Sequence, residues 1–432
     1  MKKYNLLGLF LFFCLLVYVL IQSDIVSNSA TEPIENKSFE INESTDSIII
    51  PIEDLSIKTN FYEDGIAGFL SGVDTSLFCR KINSDFWKSF TNKVNNGFSV
   101  KGKDDIVIKK PGWNKIKKVR LDPMRNWSQS QFLKSDIDTS LLFYPFSGPD
   151  FLHAFQFYPN ANEYILLALE EIGSIPDFKS ISEDSIQSYA MNLNLFLRDI
   201  YLRSYFITGN MIDDISENKV DGVLSTLYWF LKKTNHDIIS VEKITLNSLG
   251  KIVIEENVKE GWNPNGFDGV RFHFKNSNNQ LKKLTYFSCD ISDQAFLDNG
   301  RNIKYKNSNL LTFLNNMRQC NTFIKSASYM MHHDREDLSF MNIRNIILSK
   351  SKSIFQDDTG VPFRYINQDK WNITVYGSYE KPIKDFDRWS FMMQEDLNLF
   401  YKNTENHGGN LPFSLGYHWQ DKKQNQMLFL KK

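Results

Sequence analysis

The chain has 432 residues, 42% of them hydrophobic and 23% charged, which is ample length to bury a core in one large domain or two smaller ones. Fifty basic residues against 51 acidic ones leave a net charge of -1, so the chain carries no electrostatic footprint for nucleic acid. The four cysteines, Cys14, Cys79, Cys289 and Cys320, form no C-x-x-C pair and no disulfide framework, so stability must come from the core.

Lys2 and Lys3 precede an apolar run from Leu6 to Ile21, and Gln22, Ser23 and Asp24 follow it. Positive charge ahead of the run and none behind it places the N-terminus in the cytoplasm and exports the body. The run's length falls between a signal-peptide core and a spanning helix, so residues 1–21 are read as a signal-anchor or a signal peptide. Residues 22–52 are rich in Ser, Asn, Glu and Thr without an apolar period, the composition of a flexible tether. The expected location is a single-pass membrane protein with its body outside, or a secreted or periplasmic protein after cleavage.

Residues 53–135 are predicted to form a helical N-terminal region, with a helix around Phe86–Val94. A basic stretch carries Lys109, Lys110, Lys115, Lys117, Lys118, Arg120 and Arg125 interleaved with Trp113 and Trp127, and reads as a solvated face pinned by its tryptophans. Gly97–Lys103 fits the start of a phosphate-binding loop, but Asp104 stands where a Ser or Thr would hold magnesium, and a helix precedes the glycine instead of a strand.

Residues 136–365 carry the most organised pattern. LLFYP, starting at Leu141, is closed by Phe146-Ser147-Gly148-Pro149-Asp150, and a short helical piece leads to EYILLALEEIG. Continuous apolar runs around a short helix predict buried parallel strands of a β-α-β unit. Ser180 and Glu183 have capping-box spacing ahead of a helix, and a second helix follows from Val220 to Leu231. Partly alternating segments at Ile238–Leu246, Lys251–Ile254, Val270–Phe274, Leu284–Cys289 and Thr322–Met331 predict strands. A helix is expected over Phe340–Leu348 and strands at Ile354–Phe355 and Trp371–Tyr376. Residues 366–432 are read as an α+β extension on the same body. The fold class is therefore α/β: a Rossmann-like, mostly parallel sheet with a helical N-terminal region and additional C-terminal strands.

Catalytic signatures such as H-E-x-x-H, G-x-S-x-G and G-x-G-x-x-G are absent from the sequence. His332, His333, Asp334, Glu336 and Asp337 crowd metal donors together, but adjacent strand residues point to opposite faces, so no metal site is assigned. Asp385-Phe386-Asp387 fits a three-residue sugar-transfer pattern too short to carry weight.

The best constellation is Ser147, Gly148 and Asp150 after the first strand with Glu170 after the second, because open α/β sheets bind ligands at the carboxyl ends of their strands. Asp357, Asp358 and Arg364 reach the same edge if Ile354–Phe355 is a later parallel strand. Ser147, Gly148 and Glu170 are candidate ligand-binding residues, and Asp150, Asp357, Asp358 and Arg364 candidate catalytic ones. Against both stands the reading in which Gly148, Pro149 and Gly360 make turns, Asp150 caps a helix and Asp357 caps a loop.

Strand, glycine turn, short helix and second strand ending in an acid resemble the first half of a class I methyltransferase domain. That resemblance implies that Gly148 wraps the cofactor S-adenosylmethionine and Glu170 holds its ribose hydroxyls. The chain has one glycine where that family uses several, and the expected compartment lacks the cofactor. YPFSGPDFL, KSASYMMH and QDDTGVPFRY are also similar to segments of an uncharacterised group of exported bacterial proteins, which brings no activity with it. The residues specify no cofactor. Three functions are carried forward: a non-catalytic module binding a small ligand or an envelope protein; an extracytoplasmic hydrolase or transferase using Asp150, Asp357 and Asp358; and a methyltransferase, genuine or degenerate, if the body is cytoplasmic.

Overall fold

The computed structural model describes residues 60–432, apart from 79–80, 102–106, 135–139, 218, 255–267, 297–307, 336–337 and 421–423. The apolar run at Leu6–Ile21, the tether, Cys79, Glu336 and Asp337 lie outside the described residues. Among the described residues no helix is long and apolar enough to cross a membrane.

One sheet of ten strands organises the chain. In chain order the strands are β1 (Leu141–Pro145), β2 (Glu163–Ala168), β3 (Asp237–Leu246), β4 (Ile252–Ile254) and β5 (Asp268–Lys275). They continue with β6 (Leu281–Ser288), β7 (Cys320–Ile324), β8 (Ser351–Gln356), β9 (Asn372–Gly377) and β10 (Gln426–Lys431). Across the sheet the order is β9-β10-β8-β7-β1-β2-β6-β5-β3-β4. The central block β8, β7, β1, β2 and β6 is parallel throughout. Antiparallel strands β10 and β9 extend one side and β5, β3 and β4 the other. Numbered by their order in the chain, the parallel strands run 5-4-1-2-3, the doubly wound Rossmann order whose switch point falls between β1 and β7.

The uninterrupted apolar runs follow from burial on both faces, because successive side chains of a strand point to opposite sides. Leu142, Tyr144, Tyr164, Leu166 and Phe323 enter one core, while Leu141, Phe143, Ile165, Leu167 and Ile324 enter the other. The first core is roofed by N-terminal helices, among them α1 (Phe61–Leu70), α2 (Ser84–Asn96), α3 (Asp122–Lys134), α4 (Phe151–Phe157), α5 (Glu183–Phe196) and α6 (Leu224–Lys233). Trp127 on α3 packs into it, mostly edge-on, against Phe157, Phe355, Tyr376 and Phe413, so the tryptophan does pin the basic stretch, but that stretch is not a solvated face throughout, because Lys110 and Arg120 are buried. Helices α7 (Met341–Lys350) and α8 (Glu395–Asn403) serve the second core.

Several expectations need correction. The helix after Ser180 begins later: Ser182 caps it by accepting from the Ser185 N–H at 3.2 Å, and Glu183 accepts from the Asn83 N–H instead. Thr322–Met331 is not one strand, because β7 ends at Ile324 and the chain turns through left-handed Ser326, Ser328 and Tyr329. Residues 53–135 also contain an antiparallel hairpin, Gly97–Lys101 with Val107–Pro111. Cys289 and Cys320 are buried free thiols.

Candidate functional site

The carboxyl ends of β1, β2, β7 and β8 lie along one edge, and the connections leaving β1, β2 and β8 carry every predicted site residue. Asp150 is fully buried at the start of α4 and accepts from the His153 N–H at 3.0 Å, so it does cap the helix. Its carboxylate also meets Lys325 Nζ at 2.8 Å, His153 Nδ1 at 2.9 Å and the Tyr144 hydroxyl at 3.2 Å. Lys325 follows β7, so this pair sits across the switch point, the place where such sheets open a ligand crevice.

Burial works to raise the Asp150 pKa, but His153 and Lys325 outweigh it and hold the group down to about 2. Burial in turn pushes His153 down to about 4, so at neutral pH its ring is an uncharged donor. Lys325 is then the cation that keeps Asp150 ionised.

Asp357 is held by backbone N–H groups and by the Thr359 hydroxyl. Its oxygens accept from the Ser326 N–H at 2.8 Å and the Thr359 N–H at 3.0 Å, tying the loop after β8 to the left-handed turn after β7. Burial, and then neighbouring Asp358, push it up to about 6. Asp358 accepts from the Tyr329 hydroxyl and, at 2.8 Å, from Gln426 Nε2, with His418 Nε2 at 3.6 Å. Tyr144 registers both ends of the row: burial first, then Asp150 and, more weakly, Asp357 raise its hydroxyl well above the usual tyrosine value.

Arg364 departs from its expected role. It bonds the His332 carbonyl at 3.1 Å and Asp334 at 3.2 Å, facing outward toward a surface pair and away from the carboxylates. His332, Asp334 and their neighbours form no metal cluster among the described residues, since Asp334 is taken up by Arg344, Arg364 and Tyr365.

Ser147, Gly148 and Glu170 do meet. The Ser147 N–H and hydroxyl both donate to the Leu167 carbonyl, at 3.0 and 3.3 Å, which sets the turn against β2. Gly148 is left-handed at φ +55°, and a Cβ placed on it would lie 3.6 Å from the Phe206 ring and 4.0 Å from Glu170 Oε2. Glu170 is buried, which raises its pKa, and its Oε1 accepts from the Thr208 hydroxyl at 3.1 Å. Phe206 and Thr208 therefore stand over the glycine turn and the acid. Tyr205 from the same segment packs edge-on against Tyr417, and the Ser204 hydroxyl accepts from the Gly416 N–H at 3.1 Å. Sequence reasoning missed Phe206, Thr208, Lys325 and Tyr144 as members of the site.

No protein-family model matches the chain, and no curated protein matches it either. Fold and site define it as a Rossmann-like α/β protein with a buried polar row along its carboxyl edge.

The buried histidines set a pH dependence. His153 falls to about 4, and burial takes His236 and His332 down to about 3, against roughly 6.5 in an unfolded chain. Unfolding therefore takes up protons, and the stability these rings contribute is full above about pH 6.5 and lost as the pH falls toward 4 and 3. Asp357 and Glu170 oppose this, because carboxyls raised by burial favour the fold as the pH falls, but they are two groups against three. Urea midpoints are expected to drop between pH 7 and pH 5 by the equivalent of roughly 1–2 kcal/mol per histidine, less the Asp357 and Glu170 contributions. An unchanged or higher midpoint at pH 5 would show that the rings are not buried neutral.

Proposed function

We propose that the body is a non-catalytic envelope module that binds a small hydroxyl-bearing ligand, of sugar or nucleoside type, on Gly148 and Glu170. The observation that carries this is the Thr208 hydroxyl on Glu170 Oε1 beside the bare backbone of Gly148. A ligand hydroxyl entering there would take the place of the Thr208 hydroxyl, and Phe206 would move off the glycine. Export by the N-terminal segment remains part of the proposal, and rests on the charge and hydropathy of residues 1–24.

The bonding of the carboxylates supports binding without turnover. Asp150 is engaged by a lysine, a histidine, a tyrosine and a helix N-terminus, while Asp357 is engaged by two backbone N–H groups and the Thr359 hydroxyl. Asp358 is bonded by a tyrosine and a glutamine. Each therefore spends its lone pairs on holding loops, which counts against the hydrolase or transferase reading. The methyltransferase reading is favoured by one further observation: the order of the sheet extends the similarity to that domain from two strands to the whole parallel block.

Thermal unfolding in the presence of nucleosides and simple sugars tests the proposal. At least one is expected to raise Tm in wild type, and Glu170→Gln to reduce that shift severalfold. No shift with any hydroxyl-bearing compound, or an equal shift in Glu170→Gln, would overturn it.

A further inference from the structure

Away from this edge, the hairpin strand Val107–Pro111 buries Lys110 against the Arg198–Arg203 helix, which carries Tyr201. Its Nζ makes no hydrogen bond and lies 3.8 Å from the centre of the Tyr201 ring and 5.9 Å from that of Phe98. Lys233 on α6 is buried beside it, with Nζ 5.6 Å from the Trp113 ring and 3.4 Å from Asn95 Oδ1. Trp113 and Tyr201 pack with centroids 6.3 Å apart, so the two amines share one aromatic wall. Among the described residues no carboxylate contributes to the electrostatics of either amine. A buried amine with neither an acceptor nor a counter-ion is costly, and methionine would fill the same space without that cost.

We propose that Lys110 is a carbamylation site: its amine takes up carbon dioxide, and the resulting carbamate pairs with the Lys233 ammonium. In this step the Nζ lone pair forms a bond to the carbon of carbon dioxide while one C=O electron pair moves onto oxygen. The nitrogen then loses one proton to water, leaving an N-carboxylate of charge -1 with no change of oxidation state. The two lysines are suited to unequal roles. Burial, and then the charge of Lys233, hold Lys110 well below the ordinary lysine pKa, which leaves a free lone pair. Burial brings Lys233 only to about 8, so it stays mostly charged at neutral pH. Carbon dioxide is small and uncharged, and can reach a site closed to bicarbonate. The product turns an unpaired buried amine beside a cation into a buried ion pair with a satisfied acceptor.

The test is carbon NMR of the full chain equilibrated with 13C-bicarbonate. One protein-bound carbamate resonance is expected in wild type and in Lys109→Met, whose side chain is exposed on the same strand. It should be absent in Lys110→Met and weakened severalfold in Lys233→Met. Lys110→Met removes an unpaired buried amine and should melt no lower than wild type, which separates loss of the modification from loss of the fold. No carbamate resonance in wild type, or one that persists in Lys110→Met, would overturn the assignment.

Discussion

Lys325→Met is expected to destabilise the protein by about 3–5 kcal/mol at neutral pH, the usual cost of stranding one member of a buried ion pair. The side chains of Lys325 and Asp150 are 2% and 1% exposed, so solvent cannot take over from the lost partner. Asp150→Asn alone should cost a comparable amount by stranding the lysine. The double variant should recover most of the loss, because two neutral groups of similar size need no counter-ion. Denaturant unfolding of the four proteins as a cycle measures this coupling. Additive losses would show that the pair contributes nothing across the switch point. The pH dependence has a definite sign: the Asp150 pKa of about 2 lies below its unfolded value of about 3.9. Its contribution is therefore present above about pH 4 and lost as the pH falls through 2.

Gly173→Ala is expected to cost about 3–5 kcal/mol and to abolish ligand binding at Glu170. Gly173 is left-handed at φ +68°, and an added Cβ would lie 1.9 Å from the Asp221 carbonyl oxygen. Two backbone hydrogen bonds flank this crossing, Val223 N–H to the Glu171 carbonyl at 3.0 Å and Leu224 N–H to the Ile172 carbonyl at 2.9 Å. Separating the chains would break both and move the end of β2 that carries Glu170. Gly209 is the control: a Cβ there meets nothing within 4 Å, and its helical position favours alanine by roughly 0.5–1 kcal/mol. Chemical denaturation of the two variants checks the contrast, and equal stabilities would contradict the close packing at Gly173.

The parallel strands were legible because both of their faces are buried. Leu141–Pro145 and Glu163–Ala168 have no polar alternation to obscure them, and the turn after each is marked by Gly148 and Glu170. What surrounds those two residues was not legible. Thr208 lies 38 residues from Glu170 in sequence and is an ordinary helix-start threonine until the fold brings it there. Lys325 sits between an apolar strand and a serine, with nothing local to show that its partner is the cap of another helix. The capping-box spacing at Ser180 and Glu183 misled because Ser182, two residues on, caps with better placement, and Glu183 is drawn to the neighbouring α2. Arg364 is near Asp358 in sequence, but it sits within the Phe363–Tyr365 turn, which sends it outward to Asp334.

The claim that this body binds without turning over its ligand is tested most directly by NMR of the chain with a compound that raises its Tm. The Thr208 methyl resonance should shift on saturation, while the spectrum of the compound stays unchanged over many hours. Appearance of a product, at a rate lost in Asp150→Asn or Asp358→Asn variants that remain folded, would contradict the account and make the buried carboxylates catalytic.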